Sequence, residues 1–137
     1  MPAGYSGTPL AQKQGFKSGM RVAFVNPPTH YARLLGTLPD DIIVRSRVVG
    51  VFDLIHWFVD RQVLLDRKLS SLAAALKPDG MLWISWPKKT SSLPSDISGN
   101  DVRDTVLRGQ RDLVDIKVCA VDDDWSGLKF VIRKSAR

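Results

Sequence analysis

Phe52-Asp53-Leu54-Ile55-His56-Trp57-Phe58-Val59 is a nearly continuous apolar run of strand length, broken only by Asp53 and His56. Runs of this kind have both faces buried, as in the centre of a parallel sheet covered by helices on each side. Just downstream, Leu65, Leu69, Leu72 and Leu76 recur at the spacing that lines one face of a helix, with Asp66, Arg67, Lys68 and Ser71 elsewhere on the cylinder. Asp60 is expected to cap that helix. Lys77-Pro78-Asp79-Gly80 is expected to break it, and Met81-Leu82-Trp83-Ile84-Ser85-Trp86 gives the next strand, stopped by Pro87.

Upstream, residues 1–7 read as a loose leader, and Thr8 with Pro9 as the cap and first residue of a short helix that Gly15 ends. A first strand over 20–25 is cut off by Asn26-Pro27-Pro28. A short helix follows over 29–35, ended by Gly36, and a short strand over 42–45. Downstream, a polar loop over 88–99 leads to a helix over 101–108. Strands over 113–121 and 128–133, joined by the turn-rich 122–127, predict an antiparallel hairpin. The whole predicts a single α/β domain over 1–137, Rossmann-like, with a mainly parallel sheet, right-handed crossovers and a C-terminal antiparallel hairpin.

Composition narrows the chemistry. The chain has 137 residues, 44% hydrophobic and 25% charged, and a net charge of +6. All 14 acidic residues are Asp, so no mechanism can use a glutamate. One cysteine, Cys119, excludes an intrachain disulfide and a cysteine-based zinc site. With no long apolar run and no secretory pattern, the expected setting is the cytoplasm, with no membrane span. The excess charge is +4 over residues 1–50 and +1 over each of 51–100 and 101–137, with signs interleaved. That distribution disfavours nucleic acid as a partner, since no element carries a basic stripe.

The element order resembles the class I S-adenosylmethionine-dependent methyltransferase fold, and Leu76-Lys77-Pro78-Asp79-Gly80-Met81-Leu82 resembles its helix-to-strand link. Gly4-Tyr5-Ser6-Gly7-Thr8-Pro9-Leu10, Leu82-Trp83-Ile84-Ser85-Trp86-Pro87-Lys88-Lys89, residues 114–121 and Trp125-Ser126-Gly127-Leu128-Lys129-Phe130 are similar to a bacterial family of small domains of unknown function. The resemblance implies a methyltransferase-like sheet about one strand-helix unit short of the full fold. It departs at the cofactor positions. The turn after the first strand, Val25-Asn26-Pro27-Pro28-Thr29-His30-Tyr31, has no glycine. Arg45-Ser46-Arg47 stands where the superfamily places an acid for the ribose, and arginine cannot accept those hydrogen bonds. No cofactor is therefore expected, and S-adenosylmethionine is disfavoured.

Ligands of open parallel sheets collect beyond the carboxyl ends of the strands. The candidate rim there is Asn26, Pro27, His30, Trp86, Lys88, Lys89, Asp122 and Trp125. Two tryptophans and two lysines suit a small anionic or heterocyclic ligand. The other polar residues read as structural: His56 as a hydrogen-bonded core imidazole, His30 as a surface histidine, Cys119 as an inert core thiol. Asp122-Asp123-Asp124 reads as an exposed turn rather than a metal loop. Lys117 and Lys129 are expected on a solvent face or a subunit contact. Ser85 lacks the glycine-flanked elbow of a hydrolase nucleophile, and no catalytic residue is assigned. The expected function is a non-methylating ligand- or partner-binding domain; the alternative is a diverged methyltransferase or other small-molecule enzyme. Homo-oligomers through the hairpin edge are a further expectation.

Overall fold

In the computed structural model, which describes residues 10–137, the elements are α1 (Leu10–Gln14), β1 (Arg21–Val25), α2 (Tyr31–Leu35), β2 (Ile43–Arg45), β3 (Phe52–Phe58), α3 (Gln62–Ala74), β4 (Leu76–Pro87), α4 (Gly99–Gly109), β5 (Leu113–Ala120) and β6 (Trp125–Ile132). The expected leader and the Thr8–Pro9 helix start lie outside the described residues. One six-stranded sheet runs in the order β2-β1-β3-β4-β6-β5. Strands β1 to β4 pair in parallel, and β6 lies antiparallel between β4 and β5, which is the expected parallel sheet closed by a hairpin.

The period of two along β3 and β4 sends alternate side chains into two separate cores. Ile55, Trp57, Leu82, Ile84 and Trp86 join Leu65, Leu69 and Leu72 of α3 and Val102 and Val106 of α4. Leu54, Phe58 and Trp83 join Leu10 and Ala11 of α1 and Tyr31 and Leu35 of α2. Both faces of the central strands are thus covered, which is why their sequences read as unbroken apolar runs.

Several boundaries differ from expectation, each because a distant partner overrides the local pattern. Leu76 is not on the helix: α3 ends at Ala74, and β4 already begins at Leu76, paired with Phe52. Lys77-Pro78-Asp79-Gly80 is an irregularity inside that strand, between the Phe52–Leu76 and Leu54–Met81 pairs. Asp60 does not cap α3. The cap position is Arg61, without a side-chain bond, and the Gln62 amide instead donates to Asp96 from the loop after β4, at 2.8 Å. Helix α4 starts earlier than 101 because Ser98 and Asp101 form a reciprocal capping box. Trp125, Ser126 and Gly127 belong to β6 rather than to the hairpin link, since they pair with Pro87, Trp86 and Ser85 of β4.

Gly80 permits the irregularity in β4. A Cβ there would lie 3.0 Å from the carbonyl oxygens of both Lys77 and Phe52, and backbone cannot rotate out of the way as a flexible side chain can. Gly80→Ala is therefore expected to cost about 1–3 kcal/mol of stability, read as a lower urea midpoint with an unchanged denaturant slope.

Candidate functional site

Strand order reverses between β1 and β3, so the crevice at their carboxyl ends is the position at which open α/β sheets take ligands. Asn26 lies there in the left-handed region, with φ 54°, a conformation asparagine tolerates better than most residues. Its Nδ2 donates to the carbonyl of Phe58 at 3.2 Å, so the side chain spans from the end of β1 to the end of β3. Pro27 and Pro28 follow and carry no N–H to offer a ligand. The carbonyl of Pro28 accepts from the Tyr31 amide, delaying the start of α2 to Tyr31.

His30 and Asp122 meet beside this crevice, with Nε2 and Oδ2 2.7 Å apart. The imidazole side chain is 39% exposed and the carboxylate 9%. Asp122 is thus not part of an exposed turn. Its other oxygen accepts from the backbone amides of Asp124 and Trp125, both at 2.8 Å, and so shapes the link between β5 and β6. Trp125 packs edge-on against Phe58 in the core beneath. The Lys88 amide donates to the Asp124 carbonyl at 2.7 Å, tying the exit of β4 to the same link. Among the described residues, no group of three or more His, Cys or Asp side chains is arranged to hold a metal ion.

Trp86 points the other way. It belongs to the α3–α4 core, while Trp125 belongs to the α1–α2 core. The structure therefore brings His30, Asp122 and Trp125 together on one side of the sheet edge, leaves Trp86 and Lys89 on the other, and sets Asn26 between the ends of β1 and β3. Beside the indole, Trp86, Lys89, Ser98, Gly99, Arg103 and Val118 line a hollow of about 220 Å³. Gly99 is the residue that lets α4 approach the indole, since a Cβ would sit 2.7 Å from the ring. Arg103 is held by Asp115 at 3.0 Å. Lys89 has no ion-pair partner among the described residues. A second cleft, about 660 Å³, lies between α3 and α4 and is lined by Gln62, Asp66, Thr105 and Arg108.

Ser85 and His56, 29 positions apart with no motif to link them in the sequence, are joined in the structure. His56 is fully buried, its Nε2 2.6 Å from the Ser85 hydroxyl and its Nδ1 against the Tyr31 hydroxyl; Tyr31 in turn donates to Gln14 Oε1 at 2.8 Å. One proton arrangement satisfies the chain: Ser85 donates to Nε2, Nδ1–H donates to the phenol, and the phenol donates to the amide oxygen. Among the described residues, Gln14 Nε2 is the buried side-chain atom left without a partner. The expected core imidazole is thus present, in a network drawn from α1, α2, β3 and β4. Cys119 is buried and donates to the Ala120 carbonyl. Lys117 donates to the Lys13 carbonyl, and Lys129 is partly buried, which lowers its pKa together with the nearby Lys117 and Lys17.

No protein-family model and no curated protein matches the chain. Solved structures do. A proposed type 11 methyltransferase from Sulfolobus solfataricus shares 17% identity at a TM-score of 0.64, over 93% of this chain and 92% of that one. An S-adenosylmethionine-dependent methyltransferase from Aquifex aeolicus shares 15% at 0.61, over 90% and 87%. Fibrillarin from Aeropyrum pernix, solved with S-adenosyl-L-methionine bound, shares 13% at 0.57, over 89% and 73%. Likeness at these identities shows the fold alone: the sheet is a methyltransferase-like, Rossmann-type α/β sheet. Among the described residues, no helix is long and apolar enough to cross a membrane.

Two expectations follow from the buried polar groups. Burial lowers the His56 pKa from its ordinary 6.5 to about 3. Between those values the unfolded chain binds a proton that the folded chain does not. Stability should therefore fall as pH drops below about 6.5, by up to about 1.4 kcal/mol per pH unit. Urea unfolding from neutral to mildly acid pH should show this slope, flattened in His56→Asn. Asp122→Ala, which strands two backbone amides, should cost about 1–3 kcal/mol. His30→Ala, which removes a half-exposed partner, should cost less than about 1 kcal/mol.

Proposed function

We propose that this chain is a non-methylating binding domain on a methyltransferase-like sheet, taking a small anionic or heterocyclic ligand at the carboxyl edge of the sheet. The observation that carries the reading is the Asn26 amide bridging β1 to the Phe58 carbonyl across the switch-point crevice. A dinucleotide- or nucleoside-type cofactor needs bare backbone there, and this turn presents an amide side chain and two prolines instead. At the end of β2, the guanidinium of Arg45 donates to the neighbouring Val44 carbonyl, and a guanidinium offers no acceptor for ribose hydroxyls. The residues present do not fit S-adenosylmethionine in the pose that such a crevice would give it.

The hollow beside Trp86 supports the second half of the reading. Its volume of about 220 Å³ falls below the roughly 300–1,000 Å³ of pockets that enclose drug-sized ligands, which favours a simple anion or a single ring. Lys89 supplies an ammonium without a protein carboxylate partner among the described residues. His30 and Asp122 face the other side and serve the β5–β6 link. The alternative, a diverged methyltransferase, is favoured by the shared fold with proteins such as the fibrillarin solved with S-adenosyl-L-methionine.

Calorimetry with S-adenosylmethionine and S-adenosylhomocysteine separates the two readings, beside a thermal-shift panel of nucleotides, sugar phosphates and aromatic carboxylates. The binding-domain reading expects no heat from either adenosyl compound. It expects stabilisation by a panel anion, about 2.7 kcal/mol at 100 times its dissociation constant, lost in Lys89→Ala at unchanged ligand-free stability. Micromolar binding of S-adenosylmethionine would establish the alternative.

A further inference from the structure

The two edges of the sheet are β2 and β5, and they are built differently. The β5 edge has an irregularity between Asp115 and Lys117, which interrupts the regular ladder that a docking strand needs. Its charges are already engaged: Asp115 with Arg103, and Lys117 with the Lys13 carbonyl. The β2 edge has neither protection. All three residues of β2 are exposed, Ile43 by 43% and Val44 by 41%. Val49 and Val51, on the segment returning to β3, are exposed by 64% and 49%. Among the described residues, none of Asp40, Asp41, Arg45 and Arg47 has an ion-pair partner.

We propose that the β2 edge docks a second copy of this chain, the two β2 strands pairing antiparallel about Ile43 so that two six-stranded sheets become one. The sequence of the edge is charge-complementary to its own reverse. Asp40-Asp41-Ile42-Ile43-Val44-Arg45-Ser46-Arg47 runs from acidic through apolar to basic. Antiparallel pairing lays the acidic end of one copy on the basic end of the other and the apolar centres on each other. Parallel pairing would set like charge against like. A two-fold axis at Ile43 brings Asp41, in the turn just before β2 with φ 61°, beside Arg45 at the far end of the second copy's strand, twice per dimer, in the self-matching manner that an isologous interface requires.

Backbone parity selects the same register. The Ile43 amide donates to the Met20 carbonyl of the segment leading into β1, so Ile43 and its alternates turn their backbone groups inward. Ile42 and Val44 are left with theirs toward the open side, where the Val44 carbonyl meets only its neighbour's guanidinium, at 3.2 Å. Centring on Ile43 sets Ile42 opposite Val44 of the second copy. Both turn their N–H and C=O groups to the open side, where the Val44 carbonyl would exchange its guanidinium contact for the second copy, and together they form a hydrogen-bonded antiparallel pair. A shift by one residue would set outward groups against inward ones. Ile43 then faces Ile43 of the second copy in a non-hydrogen-bonded pair, whose Cα atoms lie about 4.5 Å apart, within reach of a disulfide.

The test uses the full chain in sedimentation across low to high micromolar concentration. A concentration-dependent dimer is expected. Asp41→Arg or Arg45→Asp alone turns two attractions into two repulsions and should weaken it about tenfold or more; the double reversal should restore it to within about threefold. Under mild oxidation, Ile43→Cys should cross-link to itself, whereas Val44→Cys, opposite Ile42, should not; the buried Cys119 leaves the parent chain uncrosslinked. Circular dichroism confirms that each variant is folded. A chain monomeric at every concentration overturns the proposal. So does a dimer indifferent to both single reversals, one that the double reversal fails to rescue, or one that cross-links through Val118→Cys on β5 and not through Ile43→Cys.

Discussion

Strands β3 and β4 are covered on both faces, and nearly everything else in the molecule answers to that constraint. A strand buried on one side can turn its polar residues to water; these two cannot. Each successive side chain enters one of two cores that share no space, so neighbours along the chain, such as Ser85 and Trp86, act in different surroundings. The consequence reaches the ligand edge. Trp86 and Trp125 lie near each other in the register, since Trp86 pairs with Ser126 and Pro87 with Trp125, yet their rings enter opposite cores. Proximity at the sheet edge therefore does not make a single pocket, and the edge divides into a His30–Asp122 side and a Trp86–Lys89 side.

The same constraint explains the polar network. His56 has no route to solvent from the middle of β3, so it is buried neutral and satisfied at both nitrogens, one partner coming from β4 and one from α2. A buried polar group left unpaired costs more than a paired one returns, so the network fixes the seating of the short helices. Tyr31 is the hinge of that arrangement. Its ring packs edge-on against Phe24, His56 and Phe58, and its hydroxyl ties His56 to Gln14. Helices as short as α1 and α2 have little stability of their own, and their place is set by these contacts and by the Trp83 indole donating to the Gln14 carbonyl.

What the sequence disclosed and what it hid divide along the same line. The central strands were legible because double burial leaves an unbroken apolar signature, and Gly15 and Gly36 marked helix ends through positive φ. Features set by a partner far along the chain were not legible. Asp96 caps α3 from 34 positions away, where Asp60 was the local candidate. Trp125-Ser126-Gly127 has the composition of a turn, but β4 recruits it into a ladder, and Gly127 is suited to that place because a Cβ would sit 2.8 Å from the Ser85 hydroxyl. Asp122 looked like one of three solvated acids. The two amides it holds lie two and three residues on, a local turn pattern that aspartate favours, but the imidazole that meets its other oxygen comes from 92 positions away and has no signature in local composition.

The β2 side shows how far local chain can cover a parallel edge and where it stops. Parallel strands are rarely left open, and the segments around β2 fold back to cover what they can reach. Ile42 packs beneath one core and Val48 against the other. Ser18 and Gly19 both bond the Asp40 carbonyl, pinning the approach to the strand. Arg21 sits over the Phe52 ring at 4.6 Å from its centroid while donating to the Val49 carbonyl, so its stem and guanidinium shield the start of β3. These devices cover the sheet beside β2 and leave the side chains of β2 itself exposed on both faces. They cannot close the edge itself, because the outward N–H and C=O groups of a strand are matched along their length by another strand, and the described chain has none left to give. The exposure of Ile43 and Val44 is thus a consequence of strand count, and the charges that flank them lie where a strand of opposite direction would meet them.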